Sequence, residues 1–323
     1  MKGDVFVADF VIIPDTSSDL TKELRERFDI PDYIKGLIYF PDGHSELADL
    51  DWTKYNPKDF YESMSDKKTI YKTAAAPIEN IMEVYEKQLS EGKDILAITL
   101  SSALSGTYQT CEIVRKQLLE KYPERKIICV DSKRYSTALS LLVILAAEKR
   151  KSGATLEETA QFVEQNKHRI HQMGPMDDLF FLVKTGRISN FKAFFGTLMG
   201  VNPMADFNRE GLSEVLAKFK GKNAAFDAII KYMKGTIENP QDQIIFVAHS
   251  NRLQAAEMLA QKIKDEFSPK EVIINDIGMS CGASIGPGLC AAFYYGTEIS
   301  EGLAREKELM NSIIEEQKKP NKE

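Results

Sequence analysis

DILAITLSSALSGTYQTCEIVRKQLL, residues Asp94 to Leu119, is the stretch whose reading decides the fold. Its apolar run Ile95 to Leu100, bounded by Gly92 and Lys93, has the length and content of a buried strand. Ser101, Ser102, Ser105, Gly106 and Thr107 follow as a hydroxyl-rich turn. Cys111, Val114 and Leu118 then recur at spacings of three and four, which predicts a helix. A strand, a polar turn and a helix start in that order set side-chain O–H groups beside unpaired backbone N–H groups. The helix dipole favours negative charge at such a point. Ser105 alone reads equally as a helix cap. Three serines within five positions are more hydroxyl than one cap needs, so the turn is a candidate anion site of unspecified ligand.

The same grammar repeats outward from this stretch. Val5 to Ile13 reads as a strand, followed by the polar turn Pro14 to Asp19 and a helix from Thr21 to Phe28. Asp15 stands at that strand's end, where it either orients neighbouring hydroxyls or leaves Ser18 or Asp19 to cap the helix. Ile34 to Phe40 is strand-like, Pro41 to His44 a turn, Glu46 to Asp51 a solvated acidic loop and Lys58 to Ser65 a short helix. Thr73 precedes Ala74, Ala75 and Ala76, then a helix from Ile78 to Leu89. A strand at Lys126 to Val130 ends at Asp131 and Ser132, with helices at Thr137 to Lys151 and Leu156 to Met173. Strand and helix in alternation predict a mainly parallel sheet covered on both faces, with ligands beyond the carboxyl ends of its strands. The Thr16–Ser18, Ser101–Ser105 and Asp131–Ser132 turns all fall at that edge.

Gly174 and Pro175 punctuate the chain. Beyond them Leu179 to Val183 reads as a short strand before Lys184, Thr185, Gly186, Arg187, Ile188 and Ser189. Arg187, next to a glycine and ahead of Phe194, Phe195, Leu198 and Met199, is placed to clamp a carboxylate or phosphate. Pro203 to Phe207 and Leu212 to Phe219 read as strands around a turn. Helices are predicted at Asn223 to Lys234 and Leu253 to Phe267, and strands at Ile244 to Ala248 and Val272 to Ile277. The glycines at 278, 282, 286 and 288 permit close approach. A charged tail follows Glu301. The expected organisation is an α/β chain with domains at 1–172 and 173–300 and a tail at 301–323, the second domain being the smaller sheet with helices.

Composition bounds the function. The 323 residues carry a net charge of −6 and no basic block, which argues against nucleic acid as a partner. No apolar run is long enough to span a membrane, and the N-terminus makes a poor signal peptide, so a cytoplasmic protein is expected. Cys111, Cys129, Cys281 and Cys290 lack a C-x-x-C spacing and read as reduced thiols. The histidines at 44, 168, 171 and 249 are scattered, so neither a metal nor a cofactor is expected.

Taken together, PDTSSDL, KTAAAP, ITLSSALSGTYQT, VDSKRYS, DLFFLVKTGRIS, PMADFNREG, FVAHSNRLQAAEML and IGMSCGASIGPGL resemble the DegV family of bacterial fatty-acid-binding proteins, from about Val11 to Tyr295. The resemblance implies two α/β domains and one long-chain fatty acid in an apolar tunnel. It implies that hydroxyls at Thr73 and at Ser105, or its neighbours Ser101 and Ser102, hold the carboxylate. Arg187 belongs to the same polar region or to partner recognition. Some members present the acid to a separate fatty acid kinase subunit and do no chemistry themselves. Phe194, Phe195, Leu198 and Met199 are candidate tunnel walls. Two positions depart from the family pattern. Thr73 is followed by three alanines where Thr-Ser-Gln-Pro is usual, and Ser284 stands where the glycine-rich element carries a histidine. A serine still donates a hydrogen bond but carries no charge. The competing readings are a serine-dependent acyl hydrolase, using Ser102 or Ser105 with His249 as base, and a phosphotransfer module, which lacks a Gly-x-x-x-x-Gly-Lys motif.

Overall fold

The computed structural model describes residues 10–177, 179–189 and 202–318. Two compact units emerge. The first is built from residues up to Lys54, Tyr71–Lys167 and Gly278–Cys281; the second from Tyr55–Ile70, His168–Ile277 and Gly282 onward.

In the first unit, strands β1 (Phe10–Pro14), β5 (Asp94–Thr99) and β6 (Ile127–Asp131) form a parallel sheet in the order β1-β5-β6. Register pairs Val11 with Ile95 and Ala97 with Cys129. Side chains alternate between the faces of a strand. Val11, Ile13, Ile95 and Ala97 therefore meet Ile81, Val84, Tyr85, Leu89, Cys111, Val114 and Leu118 of helices α3 (Ile78–Ser90) and α4 (Thr107–Lys121). Ile12, Leu96 and Ile98 face the opposite way and are equally buried. Helices α5 (Thr137–Lys151) and α6 (Leu156–Asn166) pack against the sheet strands. The sheet is thus sealed on both sides, as the near-continuous apolar runs of its strands require. Helix α1 (Lys22–Arg27) starts at a Thr21 cap. A small antiparallel sheet, β2 (Leu37–Tyr39), β3 (Ser45–Leu47) and β4 (Lys72–Ala74), completes the unit in the order β3-β2-β4. The acidic segment expected as a loop is thus partly strand, and Ala48 and Leu50 behind it are buried.

In the second unit, which also holds helix α2 (Pro57–Ser63), a four-stranded sheet runs β12-β11-β13-β7. Its strands are β7 (Ile170–Met173), β11 (Ile244–His249), β12 (Glu271–Asp276) and β13 (Cys290–Tyr295). A three-stranded sheet sets β10 (Ser213–Phe219) between β8 (Ile188–Ser189) and β9 (Asn202–Phe207). Helices α7 (Phe180–Thr185), α8 (Lys222–Thr236), α9 (Leu253–Phe267) and α11 (Ala304–Lys318) also belong to this unit, and α10 (Met279–Ile285) begins in the first unit and ends in the second. A buried polar network fastens these strands. His171 lies 2.6 Å from Asp206 through Nδ1 and 2.8 Å from the Thr297 carbonyl through Nε2. Tyr232 donates to Asp206 at 2.8 Å.

Two further expectations are corrected. The helix expected to Met173 ends at Asn166, and Ile170–Met173 is a strand because it pairs with β13, Met173 against Ala292. Leu179–Val183, expected as a strand, begins helix α7. Gly186, at φ 72°, closes that helix, with Arg187 N–H on the Leu182 carbonyl at 2.9 Å and Gly186 N–H on that of Val183 at 3.2 Å. This left-handed closure is the reason for glycine ahead of Arg187. The charged tail is mostly helix α11, which packs on α8 and β10 and buries Glu306, Met310 and Ile313. The wall candidates Phe194, Phe195, Leu198 and Met199 lie outside the described residues.

Met310 is fully buried. Met310→Ala is expected to cost about 2–5 kcal/mol of stability, read as a lowered denaturant midpoint. A midpoint unchanged from wild type would show that α11 is not part of the folded core.

Candidate functional site

Three turns of the first unit meet at the carboxyl ends of its parallel strands. The first follows β1. Asp15 is 1% exposed, and its two carboxylate oxygens accept Ser17 N–H and Leu100 N–H, each at 2.7 Å. The second bond ties this turn to the residue that opens the serine turn after β5. Thr16 N–H donates to the Ile34 carbonyl at 2.9 Å, and Gly36 N–H donates to Thr16 Oγ1 at 3.1 Å. Asp19, at φ 56°, accepts Gly278 N–H at 2.9 Å and the Ser136 hydroxyl. The Ser140 hydroxyl donates to the Ser18 carbonyl. Asp15 thus acts as the orienting residue of its turn, whereas Thr21, not Ser18 or Asp19, caps α1.

The second turn is the serine turn. Ser101 is buried, and its Oγ accepts Ala103 N–H at 3.2 Å. Its own N–H donates to the Arg134 carbonyl at 2.8 Å. Ser102 N–H donates to Asp131 at 3.1 Å, and Lys133 Nζ donates to Ser102 Oγ at 3.1 Å. Lys133 also pairs with Asp131 at 2.7 Å. Burial pushes the Asp131 carboxyl up, but the hydrogen bonds from Lys133 and Ser102 outweigh it and the net direction is down. Lys133 reaches this position from a left-handed backbone, φ 54°, which is costly for a residue with a side chain.

The third turn joins the alanine segment to the start of α4. Ala76 N–H donates to Thr107 Oγ1 at 3.4 Å, and Thr107 Oγ1 lies 3.0 Å from Ser105 Oγ. Thr107 N–H donates to Ser105 Oγ at 3.3 Å. Gly106 occupies the cap position and brings no side chain to the helix end. A Cβ at Gly106 would touch the methyl of Ala75 at 3.9 Å, an ordinary contact, so Ala75 lies directly against this turn. Thr73, three residues before Ala76, is the centre of β4 opposite Ile38. Paired residues share a sheet face; Ile38 is buried and Thr73 half-buried on it.

This arrangement has a chemical direction. When Thr107 donates its hydroxyl hydrogen to Ser105, Ser105 Oγ accepts from both the hydroxyl and the N–H of Thr107. Its own O–H is then free to donate outward. That donor stands at the positive end of a 15-residue helix. The site therefore suits an anion or a strong acceptor.

The structure brings Ser101, Ser102, Ser105 and the segment after Thr73 to one edge of the first unit. Arg187 and Ser284 belong to the second unit. Arg187 is half-buried and its guanidinium donates to the Thr185 carbonyl. Ser284 is half-buried on α10. His249, also of the second unit, has its Nδ1 3.3 Å from Asp276, and burial pulls its pKa down. Among the described residues no imidazole hydrogen-bonds Ser102 or Ser105. Sequence reasoning missed Thr107 as the hub and Lys133 as the partner of Ser102. The VDSK segment was the available signal, but its meeting with Ser102 crosses 31 positions. Among the described residues no group of three or more His, Cys, Asp or Glu forms a metal cluster, the four cysteines are free, and no helix is long and apolar enough to cross a membrane.

A parallel sheet sealed by helices, with hydroxyl-rich turns gathered at its carboxyl edge, makes this an α/β protein. A family model described as "Uncharacterised protein, DegV family" matches residues 9–297. A DegV domain-containing protein of Clostridium perfringens is 34% identical over 287 residues, 89% of this chain and 97% of the relative. The chain belongs to the DegV family. Among solved structures, a DegV family protein from Thermus thermophilus, described for its fatty acid binding, aligns with TM-score 0.80 at 23% identity, covering 90% of this chain and 100% of that one. The Streptococcus pneumoniae Fatty Acid Kinase (Fak) B3 protein, loaded with linoleic acid, aligns with TM-score 0.74 at 19% identity, covering 88% of this chain and 99% of that one. These likenesses establish the α/β fold.

Burial raises the Asp15 pKa to about 6, against the opposing effect of its hydrogen bonds from Leu100 and Ser17. A folded-state pKa above the unfolded value means stability that is full at low pH and lost as pH rises through the folded value. Asp15 should therefore withdraw about 3 kcal/mol between roughly pH 4 and pH 6. The difference in unfolding free energy between wild type and Asp15→Asn should carry that slope. Parallel curves across the window would show that Asp15 does not titrate there.

Proposed function

We propose that this protein binds one long-chain fatty acid, its tail in an apolar tunnel and its carboxylate held by side-chain hydroxyls. Ser105 and Thr73 supply the primary donors, Thr107 orients Ser105, and Ser101 and Ser102 shape the turn. Arg187 and Ser284 are assigned as further polar groups of the binding region or of partner recognition. The observation that carries the reading is the Ala76–Thr107–Ser105 hydrogen-bond chain at the start of α4. With Thr107 as the donor of that pair, the Ser105 O–H remains available to an acceptor at the helix N-terminus. The relatives' ligands support it: fatty acid for the Thermus thermophilus protein and linoleic acid for the Streptococcus pneumoniae protein. The latter's designation as a fatty acid kinase component supports presentation of the bound acid to a separate kinase subunit. The reading is of a cytoplasmic binding protein that carries no catalytic step of its own.

The magnitudes are consistent. A C16 tail buries around 14 methylenes, about 11 kcal/mol gross. Association costs of about 4–15 kcal/mol consume much of it. Charge-assisted hydrogen bonds of about 1.5–3 kcal/mol then decide which end leads. The tail supplies strength and the hydroxyls supply direction.

Native mass spectrometry of protein purified from a bacterial host should show a bound acyl chain, identified after extraction. Ser105→Ala should weaken fatty acid binding about tenfold or somewhat more because it removes one donor at the head group, and Thr107→Val comparably because it removes the hydroxyl that orients that donor. A protein that carries no lipid and takes up none when fatty acids are added would overturn the reading.

A further inference from the structure

Asp15 is a carboxylate almost sealed from water, and no ion pair involves it among the described residues. Its two bonds to Ser17 N–H and Leu100 N–H lodge it between the Thr16–Ser18 turn and the serine turn that leads to Ser105. The titratable groups that face it are Cys111 of α4 and Cys281 at the start of α10, both buried thiols. Asp19 of its own turn also faces Cys281. Ile34 and Gly36 flank the turn on the β2 side, and Ser136 and Ser140 meet it from α5; none of these is charged. No positive charge answers the carboxylate from these elements. A buried carboxylate in such surroundings relieves its desolvation by taking a proton. A second anion arriving nearby strengthens that tendency, because like charges in a poorly screened site oppose each other's ionisation.

We propose that the head-group turn is coupled to a proton site: seating an acidic head group draws a proton from solvent onto the carboxyl of Asp15. The proposal rests on the head-group reading above. The step is an acid–base equilibrium only, in which a carboxylate and a solvent proton become a carboxylic acid. The Ser17 hydroxyl, which leans on Asp15 as a donor, can turn its oxygen to receive the new O–H, so the buried group keeps a partner. Linkage makes the effect reciprocal: a ligand that takes up protons binds more tightly as pH falls through the same window.

The test is isothermal titration of the full chain with decanoate and with decane sulfonate, both below their micelle concentrations, in buffers of low and high ionisation enthalpy. The sulfonate stays ionised throughout, so its proton count is free of the ligand's own titration. Expected is a net uptake on the order of half a proton per ligand near about pH 6.5 with both ligands, absent in Asp15→Asn. Should that variant not fold, the carboxyl ¹³C signal of Asp15 in the wild type serves instead; its titration midpoint should rise when decane sulfonate is bound. Binding without buffer dependence, the same uptake in Asp15→Asn, or an unmoved midpoint overturns the proposal alone. Failure of both ligands to bind overturns the head-group reading and the proposal with it.

Discussion

One carboxylate fastens the carboxyl ends of two neighbouring parallel strands. Where β1 and β5 stop, the chain turns away and the ladder no longer supplies partners for its N–H groups. Asp15 accepts one from each side, Ser17 and Leu100. An N–H left unpaired in a buried place costs about 1–3 kcal/mol, so this side chain stands in for a missing length of sheet. The cost is a carboxylate held out of water. The positions of the serine turn, and of Ser105 at its end, follow from this tie.

The remaining geometry of the site is distributed over residues that each serve one bond. Asp131 receives the Ser102 N–H, Lys133 meets the Ser102 hydroxyl, and Arg134 offers its carbonyl to Ser101. Three residues of the four from Asp131 to Arg134 thereby grip two consecutive residues after β5. The alanine segment contributes differently, through the Ala76 N–H and the small side chain of Ala75 beside Gly106. Larger residues in that segment would have to be accommodated against the start of α4.

Much of this was legible in the sequence where local chemistry and tertiary packing agree. Helix α5 spans Thr137–Lys151 and α9 spans Leu253–Phe267 as their apolar spacing predicts. Strand β5 was legible because every residue from Ile95 to Thr99 is buried. Legibility failed where pairing decides. Ile170–Met173 continues a helical period in the sequence, yet a partner strand far along the chain claims it. Five apolar residues before Gly186 suit strand and helix alike, and only the left-handed closure at that glycine distinguishes them. Charge along Ala304–Lys318 conceals three buried positions on one helical stripe. In the site, the serines were legible as a cluster. Thr107's link to Ala76 and Lys133's link to Ser102 were not, because each crosses about thirty residues.

The hub of the hydroxyl chain is a threonine rather than a serine. Branching at Cβ stiffens its first side-chain torsion, and its Oγ1 is pinned further by Ala76 N–H. The Ser105–Thr107 pair is therefore held in place by the chain itself. Little rotational freedom is left at this end of the helix for anything that meets it to remove.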